Sequence, residues 1–406
     1  MSVPSKIVPV YDQPHQFEPL LPQHRLGELV EMTRSVLEKS FRLQGAVSPS
    51  AQQSLRRLVR AMNSYYSNRI EGQGTHPQNI ERALQADFSR SPEVARRQRI
   101  ALAHIEAEVE LEASLPLTGV ESHVLRSAFL VQAHEALYRR LQAADRTTDD
   151  GRVIAPGQLR VEDVAVGRHQ PPTATSVPAF LARMDEVYPR VHGLDHLLVG
   201  IAAAHHRAAW VHPFGDGNGR ACRLQTHCAL LPFSAGLWSV NRGLARARDK
   251  YYEMLANADS PRQGDLDGRG NLSEKMLREW CAYFLGVADD QAGFMGRMLQ
   301  LDELRGRIAS LMLVRSQSGQ FANYSAQATV PLYHVLVAGP LSRGEFIQMT
   351  GMPERSARRV LSQLLKDGLL VSEGPKRAVS FNFPLDALNI LLPNLYPEAA
   401  TVNTET

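Results

Sequence analysis

Residues 212–223 read HPFGDGNGRACR, the densest run of reactive side chains in the chain. Asp216, Gly217, Asn218 and Gly219 lie between two apolar segments of helical periodicity. Glycines there permit positive φ and let a ligand approach the backbone closely. A helix beginning near Arg220 points its unpaired N–H groups back into the loop, the geometry of an anion site. Arg220 and Arg223, three residues apart, share one face of that helix. Two guanidinium forks beside such a nest fit a ligand with more than one phosphate. Asp216 is a hard oxygen donor suited to Mg²⁺ on phosphates. His212 stands at the mouth, where an imidazole can take a proton from an incoming hydroxyl near neutral pH. Phe214 is expected to pack inward. The pattern G-x-x-x-x-G-K-[ST] is absent, which excludes a Walker-type site.

Other reactive side chains read as structural. His205 and His206 belong to a nearly apolar segment, 196–211, expected to be a central buried helix. Cys222, His227 and Cys228 lie close together but lack a fourth metal ligand. Tyr251 and Tyr252 can stack on a base or serve the core.

The elements that must position the loop are mostly helical. Apolar periodicity predicts helices over about 22–43, 49–70, 77–87, 92–113, 122–143, 176–188, 195–210, 220–231, 242–257 and 272–289. Ser48-Pro49 is an N-cap followed by Pro at the first helical position, and Gly72 and Gly74 end that helix. Residues 158–170 alone have strand character, after the turn signal Pro156-Gly157. Phe294, Met298, Leu301, Leu304, Ile308 and Leu311 recur at helical spacing, as a connector helix or as a dimer seam. Residues 1–20 read as a Pro-rich arm, draped or loose. Near 328–338, 342–350 and 353–368 come three short helices. Two short strands around Gly374-Pro375 complete a winged-helix pattern.

Composition bounds the class. The chain has 406 residues, 44% hydrophobic, with 45 basic and 42 acidic residues and three cysteines. Two or three domains are expected at this length. The small positive balance gives no chain-wide polyanion surface, and three cysteines give no disulfide framework, which fits a reducing cytosol. No apolar run reaches the ~18 residues of a membrane span, and the N-terminus lacks a signal-like apolar region, so a cytoplasmic protein is expected.

The pattern H-x-F-x-D-G-N-G-R-x-x-R, met in full from His212 to Arg223, resembles the signature of the Fic (Fic/Doc) family, and the likeness extends over about 120–290. The resemblance implies a mainly α, Fic-type helical core with a β-hairpin flap. It implies transfer of AMP from ATP to a Ser, Thr or Tyr hydroxyl of a target protein, and onto the chain itself. On that reading His212 is the general base and Asp216 holds Mg²⁺. The nucleotide site spans Gly217, Asn218, Gly219, Arg220, Ala221, Cys222 and Arg223. The flap, with Arg160, Val161 and Val166, docks the target segment by β-augmentation.

Residues 67–72 read SNRIEG and match the family's inhibitory motif [S/T]-x-x-x-E-[G/N]. Glu71 is expected to pair with Arg223 as a bidentate bridge beside Ser67, occupying the fork meant for the γ-phosphate. The same glutamate is a candidate for removal of AMP. The expected organisation is an N-terminal helical region with the inhibitory helix (1–115), a catalytic core (116–290), a connector (291–323), a winged helix (324–395) and a tail (396–406). Residues 324–406 hold seven basic and seven acidic residues. That balance disfavours DNA binding through Arg355, Arg358, Arg359 and Lys366 and leaves protein contact as the preferred use. The alternatives are a DNA-binding regulator with a nucleotide-sensing core, and transfer of another nucleotide or phospho-group.

Overall fold

The structure is a computed structural model and describes residues 10–116, 120–148, 150–318, 321 and 323–401. The principal helices are α1 (Leu26–Gly45), α2 (Pro49–Ile70), α3 (Pro92–Ala113), α4 (Ser127–Tyr138), α5 (Leu194–Val211) and α6 (Asn218–Ser234). After them come α7 (Glu274–Met298), α8 (Leu301–Gln317), α9 (Thr329–Ala338), α10 (Arg343–Met349) and α11 (Glu354–Lys366). The fold is mainly helical. Among the described residues its one sheet is the antiparallel pair β1 (Leu370–Val371) and β2 (Ser380–Phe381).

α5 is apolar nearly all round and is buried along most of its length. It packs against α1, α6 and α7. Its chain direction ends at His212 because that residue adopts a left-handed conformation, φ 48°. α6 restarts immediately beyond Gly217, at φ 78°. α5 and α6 are therefore two arms of one helical hairpin, and the reactive loop is its bend.

α2 starts where Ser48 caps it, its hydroxyl accepting from the Ala51 N–H at 3.3 Å. Leu55, Val59, Met62, Tyr66 and Ile70 are buried on its inner stripe. It ends at Glu71, with Gly72 at φ 73°.

Residues 10–20 are draped on the body. Phe17 is buried edge-on to Phe180, with ring centroids 5.0 Å apart, and Arg207 donates to the Pro19 carbonyl at 2.7 Å. Residues 1–9 and 402–406 of the expected arm and tail lie outside the described residues. The periodic residues Phe294, Met298, Leu304, Ile308 and Leu311 are buried within the chain itself. They serve α7 and α8, and the dimer-seam expectation falls because its apolar face is already covered. α7 runs unbroken through residue 290.

α9, α10 and α11 with β1 and β2 form the three helices and hairpin expected near the C-terminus, and a bridge between Leu341 and Val379 adds a third edge. The back of α2 faces this unit. Ser48 Oγ donates to the Leu336 carbonyl at 3.0 Å, Ser54 Oγ to Phe381 at 2.8 Å, and the Tyr66 hydroxyl to Leu395 at 2.8 Å.

Candidate functional site

The bend between α5 and α6 is held from within. Asn218 accepts from the Phe214 N–H and donates to the Phe214 carbonyl, both at 2.8 Å. Its side chain is thus a clasp, and its ligand-facing group is its backbone N–H. The first N–H groups of α6, at 218–220, have no helical carbonyl to bond and face the bend. The Ala221 N–H is taken by the Gly217 carbonyl at 3.0 Å. Cys222 is buried, donates to the His205 carbonyl at 3.2 Å, and has its thiol pushed up to about 12 by burial. Of the expected nucleotide site, Ala221 and Cys222 are thus the buried members, with the Cys222 thiol turned to α5.

Gly217 and Gly219 are each required. A Cβ on Gly217 would collide with the Tyr138 ring, and its φ of 78° disfavours any side chain. A Cβ on Gly219 would stand 2.5 Å from Glu71 Oε1.

His212 lines a cleft of about 740 Å³ together with Glu71, His169, Gly219, Arg223 and Tyr252. Burial pushes its imidazole down to about 4, with His169 and Arg160 adding to the effect. It is therefore neutral near pH 7 and free to accept a proton. Asp216 lies within reach of the same loop. Tyr138 OH donates to Asp216 Oδ2 at 2.5 Å, and Arg220 Nη2 stands 3.0 Å from that oxygen. Burial alone would raise the Asp216 carboxyl. Arg220 and Tyr138 outweigh it and hold it below the usual carboxylate range. A single ionised, half-exposed carboxylate beside an anion nest fits Mg²⁺, which uses few protein carboxylates and completes its shell with phosphate and water.

Arg223 is the most enclosed guanidinium of the site, its side chain 1% exposed. Its Nε donates to Ser67 Oγ at 2.9 Å and its Nη2 to the Ser67 carbonyl at 3.2 Å. Nη2 also meets Glu71 Oε1 at 2.5 Å. The bridge to Glu71 is thus through one oxygen, where a bidentate pair was expected, and Nη2 is shared between Glu71 and the Ser67 carbonyl. Burial raises the Glu71 carboxyl, but Arg223 and Arg220 prevail and lower it.

Three residues of the site were missed in the sequence. Gln73 accepts from Arg220 Nη1 at 3.0 Å, so the segment after α2 engages both arginines. Tyr138 ties Asp216 to Arg220, from which it accepts at 2.7 Å. His134 stacks between Tyr138 and Phe214, at centroid distances of 4.3 and 3.9 Å. Its Nδ1 accepts from the Gly157 N–H at 2.9 Å, which leaves Nε2–H to donate to the Asp216 carbonyl at 3.1 Å. The available signal was the i, i+4 spacing of His134 and Tyr138.

The stretch 158–170 is a loop closed by one bridge pair, Val166 with His169, and is shorter than the hairpin expected. Arg160 is turned inward, donating to the carbonyls of His212 at 2.8 Å and Glu162 at 3.0 Å, and to Pro172. It ties this stretch to the reactive loop, and its side chain, 2% exposed, faces the body rather than the surface. Val161 is 90% exposed and Val166 half-exposed on the cleft edge. His205 and His206 are buried, as expected of helix residues. Tyr251 is buried, its hydroxyl 3.0 Å from His205 Nε2, whereas Tyr252 is partly exposed on the cleft. His227 meets acidic groups of α3, and the neighbouring cysteines are not its partners in that cluster.

Residues 124–230 match the Fic/DOC family model. A protein named protein adenylyltransferase Fic from Drosophila virilis is 31% identical over 114 residues, 28% of this chain and 22% of that protein. Its counterpart from Drosophila willistoni is 26% identical over 171 residues, 42% of this chain and 32% of that protein. The chain therefore spans about a quarter of the length of these curated relatives. A Fic family protein from Desulfovibrio desulfuricans has a crystal structure that covers 90% of this chain and 98% of its own, with TM-score 0.51 and 19% identity, which shows a shared fold.

Proposed function

We propose that this chain, which belongs to the Fic/DOC family, transfers AMP from ATP to a hydroxyl side chain of a target protein and holds itself inhibited until α2 releases Arg223. The observation that carries the proposal is the shared cleft. A neutral His212, the N–H nest of α6 and Arg223 face one space, and Glu71 enters it from α2.

On this reading the target hydroxyl is presented along the cleft edge near Val166. Its oxygen bonds to the α-phosphorus, its proton passes to the ring of His212, and pyrophosphate leaves with the electrons of the broken P–O bond. The N–H groups of 218–220 receive the phosphate oxygens, and Arg220 and Arg223 neutralise the leaving phosphates. Asp216 would hold Mg²⁺, which supplies further charge neutralisation on the phosphates. Rate enhancement comes mainly from alignment and preorganised charge. With Glu71 on Arg223 and Gln73 on Arg220, both forks are engaged, and the terminal phosphates lose their in-line seat.

The test uses ATP labelled at the α-phosphate, with intact-mass measurement of wild type, Glu71→Gly and Glu71→Gly/His212→Ala. An adenylate adduct on Glu71→Gly that the second change abolishes is the expected result. An adduct of another mass replaces the AMP reading, and retention of labelling without His212 removes its role as base.

A further inference from the structure

Behind the phosphate loop, a second cluster of donors lies where α2, α3 and α6 meet. α3 places His104, Glu108 and Glu112 at i, i+4 and i+8 on one stripe. α6 contributes His227, one turn beyond Arg223. His227 Nε2 stands 3.2 Å from Glu108 Oε1 and 3.1 Å from Glu112 Oε1, and one donor atom from each of these three residues lies within 4.8 Å of the others. Arg60 orients Glu112 through both its oxygens, and Asn63 Nδ2 donates to Glu108 Oε1 at 2.9 Å.

A salt-bridge network alone does not satisfy this cluster. Glu108 Oε2 has no hydrogen-bond partner, and neither has His104 at either ring nitrogen, although both side chains are 0% exposed. His104 Nδ1 is 3.9 Å from Glu108 Oε2. Buried polar atoms left so are rare in folded proteins and call for an explanation such as an ion. Neither residue has a part in the chemistry at His212.

We propose that His227, Glu108 and Glu112 bind a divalent transition metal, with Zn²⁺ the fitting ion and His104 a neighbour on the Glu108 side. Mixed imidazole and carboxylate donors suit zinc, whereas Mg²⁺ favours oxygen alone. Bonds of about 2.0–2.2 Å in a tetrahedron set donor atoms roughly 3.3–3.5 Å apart, close to the spacing His227 already has from the two carboxylates. The metal takes the Nε2 lone pair once Asn63, whose Nδ2 stands 3.3 Å from His227 Nδ1, turns its partnerless Oδ1 to that nitrogen, and Arg60 stays behind Glu112 as an orienting partner. The site joins the inhibitory helix's neighbours α3 and α6 at a point one turn from Arg223, and it stands independently of the transfer activity.

The experiment strips the purified chain with a chelator and restores Zn²⁺ or Co²⁺, reading bound metal by elemental analysis, the visible absorption of bound Co²⁺ and thermal melting. One equivalent per chain and a raised melting point are expected. His104→Leu is the control variant, because it removes an unpartnered polar group beside the three donors. It is expected to melt no lower than wild type without metal and to keep its Zn²⁺, whereas His227→Leu is expected to bind Zn²⁺ at least tenfold more weakly. Glu108→Gln is expected to abolish the Co²⁺ spectrum. Substoichiometric metal and an unchanged melt in wild type overturn the proposal. So does full metal retention by His227→Leu and Glu108→Gln, which would place the ion elsewhere.

Discussion

Replacing Glu71 by Gln changes the charge facing Arg223 and little else. The side chain keeps its length, and an oxygen can still stand where Oε1 meets Nη2 at 2.5 Å. The Ser67 contacts at 2.9 and 3.2 Å are untouched. A charge-assisted hydrogen bond contributes about 1.5–3 kcal/mol and a neutral one about 0.5–1.5 kcal/mol. The change therefore releases Arg223 by about 1 kcal/mol, on the order of fivefold in the fraction free to take a phosphate. Glu71→Gly removes the whole contact, about 2–3 kcal/mol, on the order of a hundredfold. Initial rates of label transfer from α-labelled ATP should thus rise in the order wild type, Glu71→Gln, Glu71→Gly. A Glu71→Gln variant as slow as wild type beside a fast Glu71→Gly would refute the pairing argument, since it would show that bulk, rather than competition for the guanidinium, blocks the site.

Three other outcomes follow from the same geometry. His212 is held at about 4, below the usual imidazole value of 6.5, so kcat/KM of Glu71→Gly should show no inflexion between pH 6 and 7 and should fall only as pH drops toward 4. An inflexion near 6.5 counts against the buried neutral base. The sign for stability is the same: a histidine kept neutral by folding favours the folded state above its unfolded pKa and loses that contribution as pH falls, as an acid titration of the melt, comparing wild type with His212→Ala, would read. Asn218→Ala orphans the buried Phe214 N–H and C=O, which should cost about 1–3 kcal/mol in denaturant unfolding and weaken ATP binding in calorimetry. Arg160→Met should lower turnover through a displaced His212 carbonyl while leaving ATP affinity near wild type. An equal loss of both would assign Arg160 to the nucleotide instead.

The reactive loop was legible because its chemistry is local. Twelve consecutive residues hold His212, the glycines and both arginines, and helical periodicity on either side locates the bend. α2 and α3 were legible from their stripes and, for α2, its Ser-Pro start. What stayed hidden comes from distant segments meeting in space. Tyr138 and His134 lie about 80 residues before the loop, and nothing in their local pattern says that they face Asp216. Arg160 misled for a physical reason: a charged residue beside an exposed valine looks like surface, yet three backbone carbonyls without other donors draw it inward. The 158–170 stretch alternates like a strand but lacks a second strand to pair with, so only the bridge at Val166 and His169 forms. Likewise the 291–313 periodicity could not say which chain covers it, and the structure supplies the cover from within.

The grip of the C-terminal unit on the back of α2, through Ser48, Ser54 and Tyr66, has a thermodynamic consequence. One helix presents Glu71 to the cleft at its end and those three hydroxyls to the unit behind it. If a nucleotide seated in the cleft shifts α2, the free energy of that shift enters the affinity of the C-terminal unit for whatever it binds. Linkage makes the exchange reciprocal, with the same factor read from either side. A partner of the C-terminal unit can thus be sought by its effect on ATP affinity, and ATP by its effect on the partner.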